Sequence, residues 1–159
     1  TGTTVGLGVL QRVTDHPELF VLANHSWSHP DFRDLSTAQI RDELVRTDAA
    51  FVDAIGRSSR PWFRPPFGGV DDRVLRDVGA AGYSRTIMWD IDTIDWRPVA
   101  DGGPSADDLV ATVVSRAQGG SIVLMHLGGF NTLDALPDMV AGLRSKGLTP
   151  VTLEDMTGV

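Results

Sequence analysis

Residues 104–126 read PSADDLVATVVSRAQGGSIVLMH, a helix followed almost at once by a strand. Ser105 caps the helix, two glycines end it, and the apolar run SIVLMH stops at His126. The same succession extends in both directions. Upstream, FVLAN (20–24) is a short apolar strand, and STAQIRDELVRTDAAFVDAIGR (36–57) is a helix opened by a Ser36–Gln39 capping box. In that helix Ile40, Leu44, Phe51 and Ile55 recur at helical intervals, which gives it one inward face. RPWFRPPFGG (60–69) supplies a short extended piece, VDDRVLRDVGAAG (70–82) a helix ending near Gly82, and YSRTIMWDID (83–92) a strand. Downstream, TLDALPDMVAGLRSKG (132–147) reads as a helix and LTPVTL (148–153) as a last strand. Strand and helix alternate throughout, which predicts an α/β fold with a parallel sheet and helical crossovers, closed or open.

That layout gathers the unusual polar residues. His25 and His29 follow the first strand, Arg64 the second, Asp92 and Asp95 the third, and His126 ends the fourth. Each stands at a strand's carboxyl end, the rim on which parallel α/β folds build their sites.

Composition narrows the chemistry. The 159 residues carry 21 acidic and 14 basic side chains, a formal net charge of -7. No Lys/Arg run is present, so a phosphate backbone is repelled and no nucleic-acid partner is expected. Cysteine is absent, so a metal would have to be held by His, Asp or Glu. No apolar run reaches membrane-spanning length and the first residues lack the pattern of a signal peptide, so a soluble single domain over 1–159 is expected.

Each polar motif admits two readings. In LANHSWSHPDF (22–32), His25 and His29 are either hydrogen-bonded loop histidines or two imidazoles that share a zinc-like ion. FRPPFGG (63–69) is either a plain turn or a rigid platform that holds Arg64 and the Phe67 N–H, with Arg64 placed to orient a carboxylate. WDIDTIDW (89–96) offers solvated acids, or acids that serve a site; Trp96 is either core or the wall of a sugar site. His126 is either a satisfied rim residue or a general acid or base tuned by a carboxylate, for which Asp92 is the candidate.

NHSWSHP, FRPPFG, DTIDW and LMH, in this order and spacing, resemble the second to fifth motifs of the metal-dependent polysaccharide deacetylases, the NodB-homology carbohydrate esterases. The resemblance runs over about residues 19–156. It implies a distorted, incomplete parallel β/α barrel, with zinc or another divalent transition metal on His25 and His29. It further implies that Arg64 orients the catalytic base, that the Phe67 N–H helps hold the oxyanion, and that His126 protonates the leaving group with Asp92 tuning it. Trp96 and Leu124 would line the acetyl pocket.

Members of that family normally begin with a strand that ends in an Asp-Asp pair, one acid acting as base and the other as third ligand. No such strand is present, residues 1–3 resemble the tail of the family's second strand, and Leu127 stands where many members have Asp. The expectation is an N-terminally truncated piece of a longer deacetylase, with Asp31, Asp92 or Asp95 as lesser candidates for the third ligand. The implied activity is removal of acetyl groups from N-acetylglucosamine in peptidoglycan or a chitin-like polymer, at the cell surface or outside it. Alternatives are a non-catalytic glycan-binding domain, an O-acetyl xylan esterase, and a hydrolase of small cyclic amides.

Overall fold

The computed structural model describes residues 4–158. In chain order its elements are α1 (Thr4–Asp15), α2 (Thr37–Ile55), β1 (Trp62–Phe63), α3 (Asp72–Ala80), β2 (Arg85–Thr86), β3 (Ile91–Asp92), α4 (Ala106–Arg116), β4 (Val123–Leu124), α5 (Thr132–Ser145) and α6 (Leu153–Thr157). They fall into two compact units, one reaching to Met88 and joined by Thr152–Thr157, the other Trp89–Val151.

In the first unit β1 and β2 pair in parallel, Trp62 opposite Arg85 and Phe63 opposite Thr86. Asn24 bridges to Phe63, also in parallel. Helices α2 and α3 bring Ile40, Leu44, Val74 and Val78 against Phe32, Phe63 and Tyr83, all essentially buried. The Ser36–Gln39 capping box is formed, with Ser36 accepting from the Gln39 N–H and the Gln39 side chain accepting from the Ser36 N–H. The inward face of α2 differs from its expected composition. It runs Ile40, Glu43, Leu44, Thr47, Asp48, an i, i+3, i+4, i+7, i+8 stripe in which three positions are polar. Phe51 and Ile55 are only half-buried.

Those buried polar groups are satisfied, as the cost of desolvating them requires. Asp48 accepts from the Ser58 hydroxyl (2.9 Å), the Ser59 N–H (2.8 Å) and the Ser59 hydroxyl (2.9 Å), and pairs with Arg60. The Thr47 hydroxyl donates back to the Glu43 carbonyl at 2.9 Å. The Asn24 amide donates to the Leu44 carbonyl at 3.0 Å and to the Tyr83 hydroxyl at 2.8 Å.

In the second unit β3 and β4 pair in parallel, Ile91 opposite Val123 and Asp92 opposite Leu124. Leu109 and Val113 of α4 meet Ala135 and Met139 of α5. Ser105 and Asp108 close a second capping box. At the other end of α4, Lys146 donates to the Val114 and Ala117 carbonyls, satisfying acceptors that a helix C-terminus leaves open.

Three expectations are corrected. The run 83–92 is two short strands, β2 and β3, that belong to different units. The apolar run 20–24 is paired only at Asn24 among the described residues. The last strand is not formed: residues 148–152 carry no regular element and helix α6 begins at Leu153, where Thr152 accepts from the Asp155 N–H at 3.1 Å and donates to the Asp155 carboxylate at 2.9 Å, an N-cap. Helix α1 carries no sequence signal because Gly6 and Gly8 weaken its helical propensity. The strand tail expected at residues 1–3 lies outside the described residues.

Candidate active site

In the first unit, the loop after Asn24 and the turn after β1 come together. The Asn24 backbone donates to the Trp62 carbonyl and accepts from the Arg64 N–H, both at 2.9 Å. This pairing sets His25 beside Arg64, and the His25 Nδ1 lies 2.7 Å from the Arg64 carbonyl. A carbonyl can only accept, so Nδ1 carries the proton and the lone pair of the neutral ring sits at Nε2. The His29 ring stands edge-on to His25, centroids 4.9 Å apart, and edge-on to Phe67 at 4.7 Å.

The loop that carries both rings is tightly wound. Ser26 and His29 have positive φ, 69° and 61°, a conformation that side-chain-bearing residues adopt at a cost. Polar contacts hold it: the Ser26 N–H donates to the Asn24 side chain at 2.9 Å, and the His29 N–H to the Ser26 hydroxyl at 2.9 Å. From α2 the Glu43 carboxylate accepts from the Trp27 N–H (2.8 Å), the Ser28 N–H (2.7 Å) and the Ser28 hydroxyl (2.6 Å). Burial pushes the Glu43 carboxyl up, but the Ser28 and Trp27 bonds outweigh it and hold it below its ordinary value.

FRPPFGG forms a single 3-10 turn over Pro66–Gly68. Phe67 has φ 56° and is 69% exposed. The first i→i+3 bond of this turn runs from the Gly68 N–H to the Pro65 carbonyl, so the Phe67 N–H precedes the ladder. Arg64 is partly buried, which pushes its guanidinium below the usual arginine range. Its Nε is buried with no hydrogen-bond partner among the described residues. The Asp31 carboxylate is committed to Arg33, accepting from Nε and from Nη2 at 2.6 Å.

In the second unit the carboxylate on His126 is Asp95, where Asp92 was expected. Asp95 is fully buried and lies 2.7 Å from His126 Nδ1; it also accepts from the His126 N–H (2.9 Å) and the Thr132 hydroxyl (2.6 Å). Burial raises its carboxyl, yet the Thr132 and His126 bonds outweigh that and hold it below its ordinary value. It is therefore ionised at neutral pH and accepts the Nδ1 proton, turning Nε2 outward. Asp92 instead accepts the Ile94 N–H at 2.9 Å, and Ile94 has φ 57°. That turn brings Asp95 round to His126. A Cβ on Gly129 would overlap both Asp95 and Thr132, so this position admits little but glycine.

Trp96 is half-exposed with the Arg97 guanidinium 5.0 Å above its ring, which excludes the core reading. Leu124 is buried and its carbonyl accepts from the Thr93 hydroxyl at 2.8 Å. Sequence reasoning missed Asp95 as the partner of His126, and it missed Asn24, Glu43, Thr132 and Gly129. The signal for Glu43 was its place between Ile40 and Leu44 on the inward stripe; for Thr132 and Gly129 there was none.

No group of three His, Cys, Asp or Glu side chains among the described residues is arranged to hold a cation. His25 and His29 nonetheless fit two ligands of one: adjacent rings, one with its tautomer fixed by a backbone carbonyl.

Comparison with known proteins agrees with these motifs. Residues 9–86 match the family model described as polysaccharide deacetylase. The chain is 35% identical over 136 residues to a bifunctional xylanase/xylan deacetylase of Cellvibrio japonicus, covering 85% of this chain and 19% of that protein. It is 28% identical over 152 residues to a peptidoglycan-N-acetylglucosamine deacetylase of Bacillus cereus, covering 93% of this chain and 52% of that one. The chain thus spans between a fifth and about half of these relatives. Among solved structures, a family 4 carbohydrate esterase from Streptomyces lividans in complex with acetate aligns with TM-score 0.81 and 32% identity, over 97% of this chain and 75% of that one. That likeness establishes the α/β class and the distorted parallel β/α barrel type read from the sequence. Three-quarters of a solved esterase overlaid at this identity, with the four motifs in order, leaves one assignment: the chain belongs to the polysaccharide deacetylases, the family 4 carbohydrate esterases.

Proposed function

We propose that the protein carrying this chain hydrolyses acetyl groups from polysaccharide built on N-acetylglucosamine, peptidoglycan or a chitin-like polymer, at the cell surface. We propose a divalent transition metal, zinc in the first instance, held in part by His25 and His29. The observation that carries this reading is the pair of adjacent imidazoles, one ring anchored through Nδ1 on the Arg64 carbonyl. When bound, such a cation acidifies a water and polarises the acetyl carbonyl.

The chain's own residues supply the rest. Arg64, with a buried Nε lacking a partner among the described residues, is suited to orient a carboxylate base in a bidentate pair. The Phe67 N–H, ahead of its turn's ladder, donates to the oxyanion that develops as the carbonyl is attacked. With its Nδ1 proton held by Asp95, which fixes the ring, His126 acts as general acid in its doubly protonated form and delivers the second proton, at Nε2, to the departing sugar nitrogen. Trp96 and Leu124 line the acetyl pocket. Asp92 shapes the turn that delivers Asp95.

The substrate choice rests on the relative named for peptidoglycan N-acetylglucosamine. The xylan deacetylase at 35% identity favours a second reading, de-O-acetylation of xylan. Acetate release by the intact protein from chitin oligosaccharides, peptidoglycan and acetylated xylan separates the two. Release is expected from the first two substrates, to vanish on chelation and to return with zinc; release indifferent to exhaustive chelation refutes the metal.

A further inference from the structure

The loop between the two histidines contains a small anion-binding concavity filled from within the protein. Two consecutive backbone N–H groups, of Trp27 and Ser28, and the Ser28 hydroxyl converge on the Glu43 carboxylate at 2.8, 2.7 and 2.6 Å. Such nests form where the backbone passes through left-handed conformations and are satisfied by an anion; here positive φ at Ser26 and His29 brackets it. Glu43 is only 9% exposed, so its charge is retained because those donors receive it. The three donors lie between the two rings in sequence, which makes the carboxylate the contact from α2 that fixes how the residue-25 and residue-29 backbones are spaced.

We propose that Glu43 is the positioning residue of the metal-ligand pair, holding the His25–His29 loop in its ligating conformation through the Trp27 and Ser28 amides without touching the metal. The proposal rests on the reading of His25 and His29 as ligands. Outer partners that orient metal-binding groups typically contribute about 10–100-fold to metal affinity. Glu43→Gln keeps the shape but replaces an ionised acceptor by an amide with a single acceptor oxygen, so one or more of the three donors loses its partner.

The test is Zn(II) affinity of the intact protein, measured by competition with a chromogenic chelator, beside hydrogen exchange of the Trp27 and Ser28 amides in the metal-free protein. Ser36→Ala, which weakens the α2 cap without touching the loop, is the control for general destabilisation. Glu43→Gln is expected to weaken Zn(II) binding at least tenfold and to speed exchange at both amides, while Ser36→Ala changes affinity less than twofold. Affinity of Glu43→Gln within twofold of the parent, or equal losses in the two variants, overturns the proposal. Should Glu43→Gln not fold, Ser28→Ala removes one of the three donors and carries the same test, with a threefold or greater loss expected and less than twofold overturning it. If the parent binds no Zn(II) that His25→Ala and His29→Ala abolish, the ligand reading fails first and takes this proposal with it.

Discussion

The acids of DTIDW divide their work by three residues of spacing. Asp95 is buried under His126 and Thr132, whereas Asp92 accepts a single N–H inside its own turn. Because Asp95 is ionised, it can only accept, and the imidazole proton is pinned to Nδ1. Asn at position 95 would offer both a donor and an acceptor, and the ring could then settle in the other tautomer. General acid catalysis contributes about 10²–10⁴-fold, so Asp95→Asn should lower kcat for acetate release by about 10²-fold or more with little change in KM. Asp92→Asn should stay within about threefold, its turn bond being one an amide oxygen can also accept. Steady-state kinetics of both variants decide it; a larger loss at Asp92 would return the tuning role to that residue.

At the scale of elements, α2 carries the first unit's core and its polar anchors on one stripe. Leu44 and Ile40 are fully buried, and Leu44→Ala should cost about 2–5 kcal/mol. Ser36→Ala, which opens the capping box, should cost about 1 kcal/mol. Urea unfolding of the two variants reads both values, and equal costs would mean that α2 is held by its cap rather than its face. Helices like α2 and α4 are legible because caps and apolar spacing are local properties. The strands were legible as apolar runs but not as to extent, because pairing is set by a neighbour elsewhere in the chain. YSRTIMWDID looked continuous for that reason, yet only Arg85–Thr86 and Ile91–Asp92 are paired, with different partners. The same limit applies to the site. Motif residues His25, Arg64 and His126 were found where the strands end, but alternation along a strand says nothing past its last residue. There the positive φ of Ile94 redirects the chain and puts Asp95, not Asp92, on the histidine.

Across the whole molecule, two effects of acid on stability oppose each other. The chain's net charge of -7 is mostly surface charge, and its repulsion relaxes as carboxylates protonate, which by itself would favour the folded state at lower pH. Glu43, Asp48 and Asp95 act the other way. In each, burial raises the carboxyl but hydrogen bonds outweigh it and leave it below its ordinary value. A group with a depressed folded pKa contributes stability that is fully present above its unfolded value, about 3.9 for Asp and 4.3 for Glu, and lost as pH falls through the folded value. Surface repulsion is screened within about 8 Å at 0.15 M salt, and buried groups are screened much less, so the three carboxylates should dominate. Tm should therefore stay nearly level between about pH 7 and 5 and fall steeply below about pH 4. Thermal unfolding at 0.15 M and 0.5 M salt separates the causes: a fall that persists unchanged at high salt belongs to the buried carboxylates, while one that high salt abolishes belongs to the positive surface charge that builds up in acid, and would refute their role.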